Sequence, residues 1–100
     1  MNKFGMYVKF TTHAGGRDAF VQILMEAAAG MQSVTGCELY VVNVSDSEPE
    51  TVWVTEIWSD SAAHEASLLN EGAKEMISRA RPFIAGVEQI RLRPIGGKGI

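Results

Sequence analysis

The apolar residues of the chain change their spacing several times, and each spacing predicts one secondary-structure element. Between residues 4 and 11 they occupy every second position, which is the period of a β-strand with one apolar face. Between residues 17 and 32 they recur every three or four positions, which predicts an amphipathic helix that packs on a sheet. The pair Gly15-Gly16 separates the two patterns.

The pattern continues with a predicted hairpin and a second helical region. Residues 37–44 and 51–59 are rich in β-branched and aromatic residues, and a polar loop containing Pro49 joins them. Asp60 or Ser61 is placed to cap the helix that follows. We therefore expect two antiparallel strands, a corner and a helix.

The last part of the chain predicts more helix and one more strand. Residues 70–72 interrupt the second helical region, and a further apolar stripe runs to Ile84. Pro82 is expected to end or kink this helix, because proline cannot continue the helical hydrogen bonding. Gly86 then opens a final alternating segment at residues 87–93.

The resulting order βαββαβ predicts the ferredoxin-like plan, an α+β fold in which helices cover one face of an antiparallel sheet. We expect one domain over residues 1–100, with a glycine-rich tail at 94–100. An apolar uncovered face needs a partner sheet, so we expect a homodimer formed through the sheet faces. The residues expected on that face are Tyr7, Tyr40, Val42 and Ile57.

Composition and charge exclude several classes of function. The net charge of -3 argues against nucleic acid as a partner, because phosphate binding needs a clustered basic surface. No segment approaches the roughly 20 apolar residues of a membrane span, and no signal peptide follows Met1. Cys37, His13 and His64 show no metal-ligand spacing, and a lone cysteine cannot form an internal disulfide. We expect a cytoplasmic protein that uses neither metal nor membrane.

The segment 51–69 places a carboxylate, two tryptophans and an imidazole across one strand-to-helix corner. His64 falls in the first turns of the predicted helix, where it is either a proton acceptor facing a cavity or a half-exposed surface histidine. Glu56 is either a carboxylate in an apolar environment, with Arg91 or Arg93 as its partner, or a strand-end carboxylate in water.

Trp53 and Trp58 are five positions apart on one strand and therefore lie on opposite faces. A tryptophan beside a cavity offers a flat surface to a planar aromatic ligand, although in small domains tryptophans more often fill the core. From the residues alone, the sequence predicts a dimeric α+β domain with a small aromatic-lined pocket.

The same segment resembles the antibiotic biosynthesis monooxygenase domain family, within the dimeric α/β-barrel superfamily. The matching residues of this segment are Glu56, Trp58, Ala62, Ala63, His64, Ser67 and Leu68. Further matches lie at Gly36-Cys37, Tyr40, the run Ala80-Arg81-Pro82-Phe83-Ile84 and the tail glycines Gly96, Gly97 and Gly99. The resemblance therefore covers nearly the whole chain.

The resemblance implies a pocket between sheet and helices, and oxidation of quinols or anthrones to quinones by molecular oxygen. It implies no flavin, haem or metal, because a deprotonated phenol can itself pass an electron to oxygen. On this interpretation His64 assists proton transfer, and Glu56 positions His64 or the pocket tryptophan. The candidate substrate contacts are Trp58, Tyr40, Ser67, Met76 and Phe83.

Two alternatives belong to other classes. A haem-degrading branch of the superfamily has an asparagine on the first strand and a histidine on a later helix. This chain has Tyr7, Val8 and Lys9 on that strand and no histidine after His64, which disfavours haem degradation. A non-catalytic module that binds or senses a small aromatic stays open, because a fold does not impose chemistry.

Overall fold

The computed structural model describes residues 2–100 and has the predicted order of elements. The α+β, ferredoxin-like arrangement is confirmed, with the second helical region divided into two helices by residues 69–70. The strands are β1 (Phe4–Thr12), β2 (Cys37–Val44), β3 (Thr51–Trp58) and β4 (Ile84–Leu92); the helices are α1 (Arg17–Met31), α2 (Ser61–Leu68) and α3 (Glu71–Ala80), with a short 3-10 helix at Arg81–Phe83.

The four strands form one antiparallel sheet in the order β2-β3-β1-β4. In the central pair Phe4 lies opposite Trp58 and Val8 lies opposite Val54. Paired residues in a sheet point to the same face, so this register aligns the apolar faces of β1 and β3. Together with residues of α1 and the last residue of α3 they form the core: Phe4, Met6, Val8, Phe20, Ile23, Leu24, Val52, Val54, Trp58 and Ala80.

The prediction for the uncovered sheet face is partly wrong. Tyr7 and Ile57 do alternate onto it, but Tyr40 and Val42 lie on the helix-covered side, opposite Glu56 and Val54. Both alternating sets of β2 are apolar, so periodicity alone cannot choose between its faces. The apolar side chains on the uncovered face are Tyr7, Leu39, Val41, Trp53, Ile57, Ile90 and Leu92.

The last strand begins earlier than predicted. Ile84 pairs with Thr12 as the first residue of β4 and is not part of the helical stripe. The chain leaves α3 through the 3-10 helix that contains Pro82, and the Phe83 carbonyl accepts a bond from the His13 N–H at 3.0 Å. This bond continues the pairing of β1 and β4 by one residue beyond Thr12 and Ile84.

One polar residue caps the N-terminus of each of the helices α2 and α3. Asp60 caps α2 by accepting a bond from the Ala63 N–H at 2.8 Å, which confirms one of the two predicted caps. Asn70 caps α3 in the same way, accepting from the Gly72 N–H at 2.7 Å. Among residues 2–100, no helix is both long and apolar enough to cross a membrane.

The position of α2 depends on a glycine before β2. A Cβ added at Gly36 would lie 2.6 Å from the Ala63 Cβ, a separation that side chains do not tolerate. The Gly36 carbonyl also accepts a bond from the Ser59 N–H at 2.8 Å, at the corner between β3 and α2. Gly36 therefore lets α2 approach the start of β2.

We expect Gly36→Ala to lower the free energy of unfolding by about 1–3 kcal/mol, because α2 must move to accommodate the methyl group. The matched control is Gly30→Ala within α1, where an added Cβ meets nothing within 4 Å and helix propensity favours alanine by up to about 1 kcal/mol. Urea unfolding of both variants measures the difference. Equal stability of the two variants would contradict the close approach.

Candidate functional site

Three aromatic side chains meet where β1, β3 and α2 come together. The His64 ring stacks on the Phe4 ring with centroids 4.6 Å apart and meets the edge of the Trp58 ring at 5.6 Å. Phe4 and Trp58 are buried, whereas His64 is half-buried. Two buried rings therefore fix the position of the imidazole, while part of the His64 side chain stays exposed.

A partly buried hydrogen bond connects Glu56 to this aromatic cluster. The Trp58 indole N–H donates to Glu56 Oε1 at 2.9 Å. Burial raises the pKa of the Glu56 carboxyl, and the bond from Trp58 and the nearby charge of His64 oppose that rise only in part. The cluster therefore holds a carboxyl group that takes up a proton more readily than an exposed glutamate.

Neither predicted arginine partner of Glu56 bonds to it. The guanidinium of Arg91 lies instead 5.0 Å from the centre of the Phe4 ring, and within residues 2–100 no ion pair joins Glu56 to Arg91 or Arg93. The partner of the Glu56 carboxylate is instead the Trp58 indole N–H. A buried tryptophan needs an acceptor for its one side-chain donor, and Glu56 provides that acceptor.

Tyr40 lies beside Glu56 on the neighbouring strand. It pairs with Glu56 across β2 and β3 and packs against the core. Burial raises the pKa of the Tyr40 hydroxyl, and the charges of Glu56 and Cys37 raise it further. Burial, and then Glu56, likewise raise the pKa of the Cys37 thiol. Both groups are thus kept protonated, and neither is an activated nucleophile.

A cavity of about 610 Å³ lies between the three helices, next to this cluster. Small residues on facing helices leave the space open, and methionines supply adaptable apolar walls. Its lining consists of small residues (Ala27, Gly30, Gly36, Ala63, Ala66, Gly72, Ala73), larger apolar residues (Met31, Val34, Met76) and polar residues (Glu26, Ser67, Asn70, Glu75, Arg79).

Helix α2 joins the cavity to the aromatic cluster. Ala63 and Ser67 line the cavity, whereas His64, between them in sequence, turns toward Phe4 and Trp58. The Ser67 hydroxyl donates to the His64 carbonyl at 2.6 Å, which ties the side chain to its own helix. The cavity and the cluster therefore lie along neighbouring sides of one short helix, because Ser67, which lines the cavity, is three residues from His64 and shares its side of α2.

The structure brings most of the predicted site residues together. Glu56, Trp58 and His64 form the cluster with Tyr40 alongside, and Ser67 and Met76 line the cavity. Phe83 does not line the cavity, and it lies far from the cluster: it precedes Ile84, which pairs with Thr12 at the opposite end of β1, about 26 Å along the strand from Phe4.

Phe4 is the site residue that sequence reasoning missed. Its alternation with other apolar residues of β1 marked it only as core, and nothing in the sequence shows that Trp58 lies opposite it. The position of Phe4 at the very start of the strand was the available signal, because a strand end lies at a rim of the sheet. Across residues 2–100, no group of three or more His, Cys, Asp or Glu side chains is arranged to hold a metal ion.

Comparison with known proteins agrees with the fold. Residues 4–79 match the family model for antibiotic biosynthesis monooxygenase. A solved structure from Chloroflexus aurantiacus J-10-fl, provisionally assigned as an antibiotic biosynthesis monooxygenase, is 36% identical with a TM-score of 0.89, and the match covers 98% of each chain. No curated protein matches the chain at a significant level.

More distant structures share the fold alone. One from Caulobacter crescentus CB15 is 18% identical with a TM-score of 0.89, and the match covers 95% of this chain and 92% of that one. One from Deinococcus radiodurans is 19% identical with a TM-score of 0.84, and the match covers 97% of both. Both carry the same provisional assignment as the Chloroflexus protein.

We expect Glu56→Gln to stabilise the protein increasingly as the pH rises from 4 to 8. Folding raises the pKa of Glu56, so the native protein is destabilised when this carboxyl ionises. The native protein therefore has its full stability below the unfolded pKa of about 4 and loses part of it as the pH rises through the folded pKa. Glutamine keeps an acceptor for the Trp58 N–H but carries no charge. Urea unfolding at several pH values measures the difference between variant and native protein.

The control is Glu50→Gln, which makes the same charge change in the exposed loop between β2 and β3. A Glu56→Gln difference that stays constant with pH, or shrinks toward pH 8, would show that burial does not penalise the carboxylate.

Proposed function

The chain belongs to the antibiotic biosynthesis monooxygenase family, and we propose that it oxidises a quinol, an anthrone or a similar phenolic aromatic with molecular oxygen, without a bound cofactor. The observation that carries this proposal is the placement of His64, which is held by Phe4 and Trp58 on the helix that lines an aromatic-sized cavity. A half-buried base beside an apolar cavity suits the deprotonation of a bound phenol.

The first step of the proposed mechanism is transfer of a proton from the substrate to His64. Stacking on Phe4 fixes the plane of the imidazole, and the carboxylate form of Glu56 stabilises the imidazolium that results. Trp58 holds the Glu56 side chain through its indole N–H. Glu56 is on this account a positioning residue, and the aromatic rings set the geometry.

The second step needs only the substrate and oxygen. A phenolate or enolate gives one electron to O2, and the resulting radicals combine to form a carbon–oxygen bond. Loss of water from the peroxide then leaves a carbonyl: an anthrone and O2 give an anthraquinone and one water, so the substrate supplies all the electrons. The protein contributes orientation and apolar walls against the reacting ring.

The cavity suits this substrate class. Its volume of about 610 Å³ lies within the range of small-molecule sites, and its walls are mostly apolar. Met31 and Met76 are flexible enough to pack on flat rings of different width. Of the proposed substrate contacts, Ser67 and Met76 line this space, while Trp58 and Tyr40 lie on the sheet side.

We also propose that two copies of the chain pair through the uncovered sheet faces, as the fold commonly does. The uncovered face carries seven apolar side chains, of which Tyr7, Leu39, Val41, Ile90 and Leu92 are each more than a third exposed in the single chain. A patch of this composition on a small protein is typical of a self-complementary interface.

Oxygen uptake by the purified protein with chemically reduced naphthoquinols and an anthrone tests the proposed function. We expect uptake above the spontaneous rate, a loss of about a hundredfold in His64→Ala because the base is removed, and a loss of roughly tenfold in Trp58→Phe because Glu56 loses its donor. The matched control is His13→Ala, an exposed histidine in the loop after β1.

Two results would contradict the proposal. Uptake at the spontaneous rate would favour a module that binds a small aromatic without turnover. Equal losses of oxygen uptake in His64→Ala and His13→Ala would show that the catalytic site does not lie on α2. Metal and flavin contents of the same preparation, measured by mass spectrometry and absorbance, test the cofactor-independent part of the proposal.

Analytical ultracentrifugation tests the pairing. We expect the native chain to sediment as a dimer of the 10.9 kDa protomer, and Val41→Glu to sediment as a monomer because a charge is then buried in the interface. Ala19→Glu, on the exposed side of α1, is the control and should stay dimeric. A Val41→Glu variant that also stays dimeric would place the interface elsewhere.

A further inference from the structure

Building on the proposed function, we infer that the cavity accepts uncharged phenolic rings and disfavours anionic ones, and that Glu26 and Glu75 determine this specificity. The inference follows from the charges that line the cavity and from the contacts that already occupy its polar groups.

Three charged side chains line the cavity: Glu26, Glu75 and Arg79. The guanidinium of Arg79 forms a two-pronged ion pair with Glu26, with N–O distances of 3.1 and 3.3 Å. The pKa of Glu26 is lowered by this pairing, in agreement with a carboxylate that stays charged. The lining therefore carries a net charge of -1, and its one cation is already engaged.

The uncharged polar groups of the lining leave few donors for an anion. Ser67 uses its hydroxyl hydrogen on the His64 carbonyl at 2.6 Å. The side-chain oxygen of Asn70 accepts from the Gly72 N–H at 2.7 Å, which leaves the Asn70 amide hydrogens as the remaining side-chain donors. A sulfonate or carboxylate in the cavity would therefore find no unpaired cation in the lining to bind it, and Glu75 would add a second negative charge there.

A phenolic hydroxyl meets the opposite situation. It carries no charge when it enters, and its ring contacts apolar walls that include Met31 and Met76. The proton that it loses in the proposed first step stays beside it on His64, so the bound pair remains neutral overall. Because Glu26 and Arg79 are about half exposed, water and salt weaken the field of the charges. We therefore expect discrimination by a factor of about three to ten per removed charge at low ionic strength.

Calorimetric titration at pH 7 with 2-naphthol and naphthalene-2-sulfonate, at about 20 mM ionic strength, tests the inference. The native protein should bind 2-naphthol at least about tenfold more tightly than the sulfonate. Glu26→Gln/Glu75→Gln should raise affinity for the sulfonate by about tenfold or more and change affinity for 2-naphthol less than about twofold. Asp46→Asn/Glu50→Gln removes the same number of charges from the exposed loop between β2 and β3 and should change neither.

A second pair of variants locates the bound probe. Ala66→Leu fills part of the cavity and should weaken 2-naphthol binding by about tenfold or more, whereas Ala62→Leu, at an alanine of the same helix that does not line the cavity, should not. Unchanged binding by Ala66→Leu, no binding of either probe, or no gain for the sulfonate in the double glutamine variant would each overturn the inference.

The outcome is separable from that of the proposed function. Charge-selective binding without oxygen uptake would refute the monooxygenase activity and leave the specificity standing. Oxygen uptake with equal binding of both probes would refute the specificity and leave the activity standing.

Discussion

The hydrogen bond between the Trp58 indole and Glu56 is the interaction on which the site depends. Burying a tryptophan in the core removes about as much apolar surface from water as any single residue can, but its N–H then requires an acceptor. The acceptor here is a carboxylate two residues earlier on the same face of β3. Packing the core thus keeps an ionisable group under α2, within reach of the charge of His64.

The pairing of β1 with β3 positions the other residues of the site. Because Phe4 lies opposite Trp58, two rings are available to hold the His64 imidazole from the sheet side. Gly36 allows α2 to approach, and small residues on the facing helices leave a cavity along the neighbouring side of that helix, where Ala63 and Ser67 line it. On the proposed mechanism, α2 therefore connects the base to the bound ring, although no residue of α2 itself is buried.

Periodicity and turn residues predicted the fold well, because β1, α1 and β3 each have one clearly apolar face. They failed for β2, where Tyr40 and Val42 compete with Leu39 and Val41 and only pairing with β3 decides which set is covered. The segment 51–69 itself indicated Glu56, Trp58 and His64, and the family resemblance supplied the roles proposed for them. It could not supply Phe4, which becomes part of the site through its stacking on His64, or the ion pair between Glu26 and Arg79, whose partners are 53 residues apart.

The most direct test of the proposed mechanism separates proton transfer from oxygen chemistry. We would mix the protein with an anthrone under strictly anaerobic conditions and follow the absorbance of the anthrone anion in a stopped-flow instrument. The proposed role of His64 predicts that the anion accumulates on the native protein, at a pH where the free anthrone stays protonated, and fails to accumulate on His64→Ala. Bound anthrone that remains protonated on the native protein, or an anion that forms equally on His64→Ala, would contradict that role.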